Sequence, residues 1–236
     1  MSPELLSAHQ VENTMMAEDV SAASIDEVTS TEENGHRLQL RLKRLFDIAC
    51  SLVGLLLLSP FLMLVALCVR LSSPGPIIYK SLRIGQDNKP FYMFKFRTMV
   101  NNADLMREEL ARQNNLEDGL FKLKDDCRVT PLGSFLRKYS IDEFPQLLNV
   151  LAGNMSLVGP RPYVPEESQL FTYPYSMRFK VLPGMTGPWQ ISGRSNLSFS
   201  EVCNLELAYV LHWNFLKDLS ILFSTIPAVL LKRGAY

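Results

Sequence analysis

Leu45–Val69 reads LFDIACSLVGLLLLSPFLMLVALCV, and the fold turns on what this stretch does. It holds a single charge, Asp47, near its start. As a straight helix it spans roughly 37 Å at 1.5 Å per residue, more than the hydrocarbon core of about 30 Å. That length favours one transmembrane helix. Two features oppose it. Ser59-Pro60 lies just past the middle, and the proline removes the helical bond to the Leu56 carbonyl, which kinks or breaks a helix. Basic residues also flank both sides, Arg41, Lys43 and Arg44 before and Arg70, Lys80 and Arg83 after, so the positive-inside rule sends both ends to the cytoplasm. A segment that enters and returns satisfies both facts, with the Ser59 hydroxyl a candidate partner for the freed backbone. From the residues alone, re-entrant and spanning arrangements stay open, with a buried core helix third.

Upstream, residues 1–39 carry eight acids and one basic residue, Arg37. They lack a hydrophobic period and read as a largely disordered acidic tail over 1–40. A secretory signal is excluded, because there is no basic start and apolar core. The chain has 236 residues and zero formal charge, but the balance is uneven. The other 197 residues hold sixteen acids against twenty-three Lys and Arg. A basic body suits anionic lipid or phosphorylated substrates. No nucleic-acid signature accompanies it. Cys50, Cys68, Cys127 and Cys203 form no C-x-x-C pair, which argues against a zinc site or a disulfide framework. His9, His36 and His212 have no metal-ligand spacing, and His212 beside Trp213 reads as structural.

Downstream, Ser72–Pro76 is turn-rich. Ile77–Lys80 and Phe91–Arg97 read as short strands, with Arg83–Pro90 as the turn between them. Lys95 and Arg97 share a face if that segment is extended. Asn101–Asn115 has a helical composition, and Pro131 marks a helix start.

The chemistry concentrates in Leu132–Pro162, LGSFLRKYSIDEFPQLLNVLAGNMSLVGPRP. Asp142 and Glu143 are adjacent, with Arg137 and Lys138 before them and Arg161 after, inside Gly159-Pro160-Arg161-Pro162. Ser140-Ile141-Asp142-Glu143 matches the S-x-x-E capping box. Pro145 is tolerated only in a first helical turn, so both carboxylates are expected at a helix N-terminus, with Gly153 as its stop. A capped helix alone accounts for an isolated Asp-Glu pair. Four basic side chains and a Pro-Arg-Pro clamp are more than a cap needs, and a guanidinium held rigidly binds phosphate bidentately. Further on, Pro183–Gln190 and Gly193-Arg194-Ser195-Asn196 are turn-rich, and a glycine-rich loop with one arginine admits a phosphate. Phe199–Trp213 and Leu216–Leu231 are apolar-periodic helices, the second either interfacial or core.

Lys43-Arg44-Leu45-Phe46-Asp47, Ser59-Pro60, Ser73-Pro74-Gly75-Pro76 and Lys95-Phe96-Arg97-Thr98-Met99 together carry a resemblance. So do Arg137-Lys138-x-Ser140-Ile141-Asp142-Glu143-x-Pro145-Gln146-Leu147, Gly159-Pro160-Arg161-Pro162 and Pro183-Gly184-x-Thr186-Gly187. The chain from about Lys43 to Tyr236 resembles the bacterial sugar transferases, the monotopic phosphoglycosyl transferases that start polysaccharide assembly on a polyprenyl phosphate. The terminal Arg233-Gly234-Ala235-Tyr236 is similar to the glucose- and galactose-phosphate branch, in its short exopolysaccharide-initiating form. The resemblance implies an α+β, mainly helical fold. It comprises a re-entrant membrane helix over 41–71, broken at Ser59-Pro60, and a compact cytoplasmic catalytic domain over 72–236 with a small sheet and interfacial helices. It further implies transfer of a hexose-1-phosphate from a UDP-sugar to undecaprenyl phosphate at the bacterial cytoplasmic membrane, releasing UMP. Asp142 is then the nucleophile and Glu143 its catalytic partner, both ligands of a Mg²⁺ cofactor. Arg137 and Arg161 bind substrate phosphates, joined by Lys95, Arg97 and Arg194. One departure is that the family often has Asp where Glu206 stands, which touches local packing if that acid fixes loop geometry.

Two rivals remain at this stage. One is a direct metal-assisted transferase without a covalent intermediate. The other is a non-enzymatic recruiter held to anionic lipid by its basic face. No motif reads the sugar, and oligomeric state is open, a homodimer being one option.

Overall fold

The structure is a computed structural model. It describes the backbone of residues 3–103, 105–106, 126–193 and 197–230, and side chains within these from residue 35 to 229. Most of the helix expected over Asn101–Asn115, the residue Arg194 and the terminal Arg233–Tyr236 motif lie outside the described residues. The chain divides into two compact units, Met1–Lys43 and Arg44–Tyr236.

In the first unit, residues 3–40 have helical backbone.

The second unit holds the apolar stretch and everything after it. Helix α1 (Pro3–Ser72) continues through Ser59-Pro60, so the expected helix-break-helix is not seen as an interruption. Pro60 cannot donate to the Leu56 carbonyl, and the Ser59 hydroxyl donates to it instead at 2.8 Å. This local repair keeps a proline inside a helix.

Within the second unit, one face of the α1 segment from Arg44 to Ser72 is held to the rest of that unit. At the start of this segment, Arg44 donates to the carbonyls of Val150 (2.6 Å) and Leu151 (3.0 Å), and buried Asp47 accepts from the Leu157 amide (3.1 Å). At its end, buried Val65 and Val69 pack against Phe96 and Leu136. Leu52, Leu56, Leu57, Met63, Leu64 and Leu67 on other faces are exposed. Exposed apolar surface on this scale marks a membrane or partner contact, and the segment Gly35–Ser72 is long and apolar enough to cross a membrane by length and composition.

After α1 come strands β1 (Ile78–Ile84) and β2 (Pro90–Phe96), an antiparallel hairpin in which Tyr79 faces Lys95 and Arg83 faces Phe91. β1 is longer than expected and includes Arg83. The turn between them is the short 3-10 segment Gln86–Asn88. Helix α2 (Pro131–Lys138) starts at its proline, with Thr130 accepting from the Gly133 amide at 3.0 Å. Helix α3 (Gln146–Ala152) ends at Gly153, which takes φ 84° and closes onto the Asn149 and Val150 carbonyls as expected.

Strands β3 (Ser156–Val158) and β4 (Gly184–Thr186) pair in parallel. Their backbones approach so closely that a Cβ on Gly184 would overlap the Gly159 amide, and one on Gly187 the Gly159 carbonyl. This contact explains the glycines of both motifs and joins the Pro-Arg-Pro segment to the Pro-Gly loop. Gly184→Ala is expected to lower stability by about 2–3 kcal/mol through overpacking, read from melting in detergent. A short turn, α4 (Pro165–Ser168), and the 3-10 segment Tyr175–Lys180 follow. Helices α5 (Pro188–Ser192), α6 (Phe199–Leu211) and α7 (Phe215–Leu230) complete the described residues. The core lies between them: Tyr209 of α6 donates to Asp218 of α7 (2.7 Å), and Val158 and Ile221 are buried alongside. α7 has both characters considered for it, burying Ile221 and Ala228 while exposing Leu216, Phe223 and Ile226.

Candidate active site

The two carboxylates are not in a capping box. Ser140 adopts φ 55°, the left-handed region, and its side chain caps nothing. This strained conformation for a non-glycine residue turns the chain out of α2. Asp142 and Glu143 then form a separate 3-10 turn, Ile141–Glu143, just ahead of α3. Asp142 is buried, 6% exposed, while the Glu143 side chain is 35% exposed.

β2 supplies the counter-charge. Asn149 of α3 accepts from the Phe94 amide (2.9 Å) and donates to the Tyr92 carbonyl (2.7 Å), so its amide locks α3 along the strand. In that docking, Lys95 Nζ meets Glu143 Oε1 at 2.6 Å. Asn149 drew no attention in the sequence. An asparagine on a predicted buried helix face was its available signal.

Burial pushes the Asp142 carboxyl up to about 6. Lys95 and Arg137 pull it down and Glu143 pushes it up further. Arg137, in the last turn of α2, donates from Nε to Thr98 Oγ1 at 2.9 Å and feels the charge of both Asp142 and Glu143. Glu143 is charge-paired, whereas Asp142 is a poorly solvated carboxylate with cations nearby. The two carboxylates therefore sit in unlike surroundings, and raised basicity in general favours nucleophilic attack.

Arg161 stacks over the Trp189 ring at 4.7 Å. Its backbone is held from beneath. Glu206 Oε1 accepts the Arg161 amide at 2.9 Å, and Arg178 donates to the Arg161 carbonyl. Arg178 Nη1 and Glu206 Oε2 pair at 2.7 Å, both nearly fully buried, with the guanidinium also over the Phe171 and Tyr163 rings at 4.2 and 4.4 Å. Glu206 therefore does fix the loop. Arg178 was missed by sequence reading, since it sits alone in a turn-rich segment.

The structure does not bring Arg97 to this group. β2 ends at Phe96, so Arg97 leaves the face Lys95 occupies. Its guanidinium donates to Val69, Ser73 and Pro76 carbonyls and to Ser73 Oγ, fastening the end of α1. The expected phosphate role for Arg97 is replaced by an anchoring one. Arg194 lies outside the described residues. Arg83 enters the site in its place: it feels the charges of Arg161 and Glu143, and burial with Arg161 brings its guanidinium down to about 10.

Among the described residues there is no cluster of three or more His, Cys, Asp or Glu able to hold a metal. Asp142 and Glu143 supply two hard oxygen donors. That sparse set fits Mg²⁺, which is commonly held by one or two carboxylates and completed by water and substrate phosphates.

A sequence profile of the family described as bacterial sugar transferase matches residues 38–232. The exopolysaccharide production protein ExoY of Sinorhizobium fredii is 44% identical over 198 residues, covering 82% of this chain and 88% of that protein. The undecaprenyl-phosphate galactose phosphotransferase of Salmonella typhimurium is 41% identical over 199 residues, 83% of this chain and 42% of the longer protein. The undecaprenyl-phosphate glucose phosphotransferase of Komagataeibacter xylinus is 40% identical over 205 residues, 82% and 37% respectively.

Proposed function

The chain belongs to the bacterial sugar transferase family, and from that premise we propose that it moves a hexose-1-phosphate from a UDP-sugar to undecaprenyl phosphate, releasing UMP. The relatives' named activities on undecaprenyl phosphate with galactose or glucose support the substrates. The observation that carries the chemistry is Asp142, a buried carboxylate raised to about 6 by burial while lying in the field of Lys95 and Arg137.

Both substrates are anionic, so their direct reaction meets charge repulsion, and a covalent route divides the barrier. An Asp142 oxygen attacks the sugar-bearing phosphorus. The bond from that phosphorus to the bridging oxygen breaks, and UMP leaves with the electron pair. The lipid phosphate then attacks the acyl phosphate and frees Asp142. Arg137 and Arg161 stabilise the phosphoryl oxygens as charge develops. Lys95 orients Glu143 through their ion pair. Asp142 and Glu143 would hold Mg²⁺, which would supply neutralisation of the diphosphate charge.

A re-entrant anchor serves this reaction, because the lipid phosphate lies at headgroup level. Support comes from the attachments at Arg44, Asp47, Val69 and Arg97, which tie both ends of the apolar segment to one domain. A helix crossing the bilayer has its ends in different compartments. The basic residues at each end favour the cytoplasmic face.

The test is UMP release across UDP-glucose, UDP-galactose and their N-acetyl relatives with undecaprenyl phosphate. Release from one or a few donors, with parallel-line ping-pong kinetics, is expected. No UMP from any of these donors rejects the function, and intersecting ternary-complex kinetics rejects the covalent route.

A further inference from the structure

Arg83 stands in the last part of β1, and the end of that strand meets the Pro-Arg-Pro segment. The Ile84 amide donates to the Tyr163 carbonyl at 2.9 Å, forming an antiparallel bridge. From this position Arg83 Nη1 donates to the Pro162 carbonyl (3.3 Å) and Nε to Ser81 Oγ (3.1 Å). Two neutral acceptors thus aim the guanidinium without cancelling its charge. Its Nη2 has no hydrogen-bond partner among the described residues, and neither has the guanidinium of Arg161.

The pairing of these two cations is costly as it stands. Glu206 takes the backbone amide of Arg161, not its side chain, and its charge is matched by Arg178. Glu143 is paired with Lys95. Glu167, Tyr79 and Glu143 lend Arg83 some favourable field, but burial and the like charge of Arg161 outweigh it. Two half-buried guanidinium groups on segments joined by the Arg83–Pro162 hydrogen bond, each within the other's field and with donors unspent, suit an anion.

We propose that Arg83 and Arg161 form a two-armed subsite for a substrate phosphoryl group, with Arg83 as the second binding residue. The chemistry it takes is adjacent phosphoryl oxygens, which either the donor's diphosphate or the polyprenyl phosphate presents. The identity of those substrates rests on the function proposed above. The subsite does not.

The experiment titrates inorganic pyrophosphate into the full chain in detergent, without divalent cations, for wild type, Arg83→Gln and Arg83→Lys. Loss of one charge-assisted contact weakens binding about ten- to a hundredfold in Arg83→Gln, and less in Arg83→Lys, which keeps charge but loses the planar fork. Melting temperatures should hold. In turnover, a raised KM for the UDP-sugar places the donor on the subsite, and a raised KM for undecaprenyl phosphate places the lipid there; both support it. Unchanged pyrophosphate affinity in a folded Arg83→Gln protein overturns the proposal. So does a loss in both variants that merely follows falling melting temperatures. Arg83-dependent pyrophosphate binding in a protein that turns over no UDP-sugar would reject the proposed function and leave the subsite standing.

Discussion

Asp142→Asn is expected to leave a folded protein with no sugar-phosphate adduct by intact mass and turnover lowered by about a thousandfold or more. The amide is nearly the same size and keeps a hydrogen-bonding oxygen, but it is not a nucleophile. Near-normal turnover in this variant would remove the covalent step. The same substitution carries a stability signature. Burial raises the Asp142 carboxyl to about 6, so between about pH 4 and 6 the folded chain binds a proton that the unfolded chain gives up. Its contribution to stability is therefore most favourable below that window and is lost as pH rises through it. A shift of this size amounts to about 2–3 kcal/mol. In metal-free buffer, Asp142→Asn should melt higher than wild type at pH 8 and no higher at pH 4. The donor half-reaction of wild type should also fall as pH drops below about 6, because the protonated acid does not attack.

Glu206→Gln should cost about 3–5 kcal/mol, the usual penalty for stranding one member of a buried ion pair. The choice of glutamine separates two roles of this side chain. Its oxygen still accepts the Arg161 amide, whereas the charge facing Arg178 is gone. Arg178 is only 3% exposed and lies among aromatic rings, so no water replaces the lost carboxylate. Replacing both partners with apolar residues of similar volume should recover much of the loss. The clamp also holds the carbonyl of Arg161, so the single variant should raise KM for the substrate whose phosphate Arg161 meets. A Glu206→Gln protein that melts within about 1 kcal/mol of wild type would show that the pair is not holding the loop.

The elements with a strong local pattern were readable before any coordinates. Hairpin, α6, α7, the proline start of α2 and the glycine stop of α3 all follow from periodicity and turn chemistry. The Asp142-Glu143 pair was legible for a different reason, its crowding by cations. What escaped reading depends on contacts between distant segments. Ser140 looked like a cap, yet the chain needs it left-handed to turn between α2 and the acid pair. Arg97 looked like a partner of Lys95, but the strand stops one residue short and its guanidinium finds the carbonyls that end α1. Arg178 and Glu206 are unremarkable residues in their own neighbourhoods. Only the fold of α6 over the Tyr175–Lys180 turn makes them a pair.

Fastening the apolar helix at Arg44 and Asp47 as well as at Arg97 leaves it no swivel. An enzyme on a single tether would search a volume above the lipid; a helix fastened to the catalytic domain at both ends, if seated in lipid as proposed, would carry that domain with it. On the proposed membrane seating, the depth of the helix would set the altitude of Asp142 over the headgroups, and a thicker or thinner bilayer would tilt the body instead of stretching a leash.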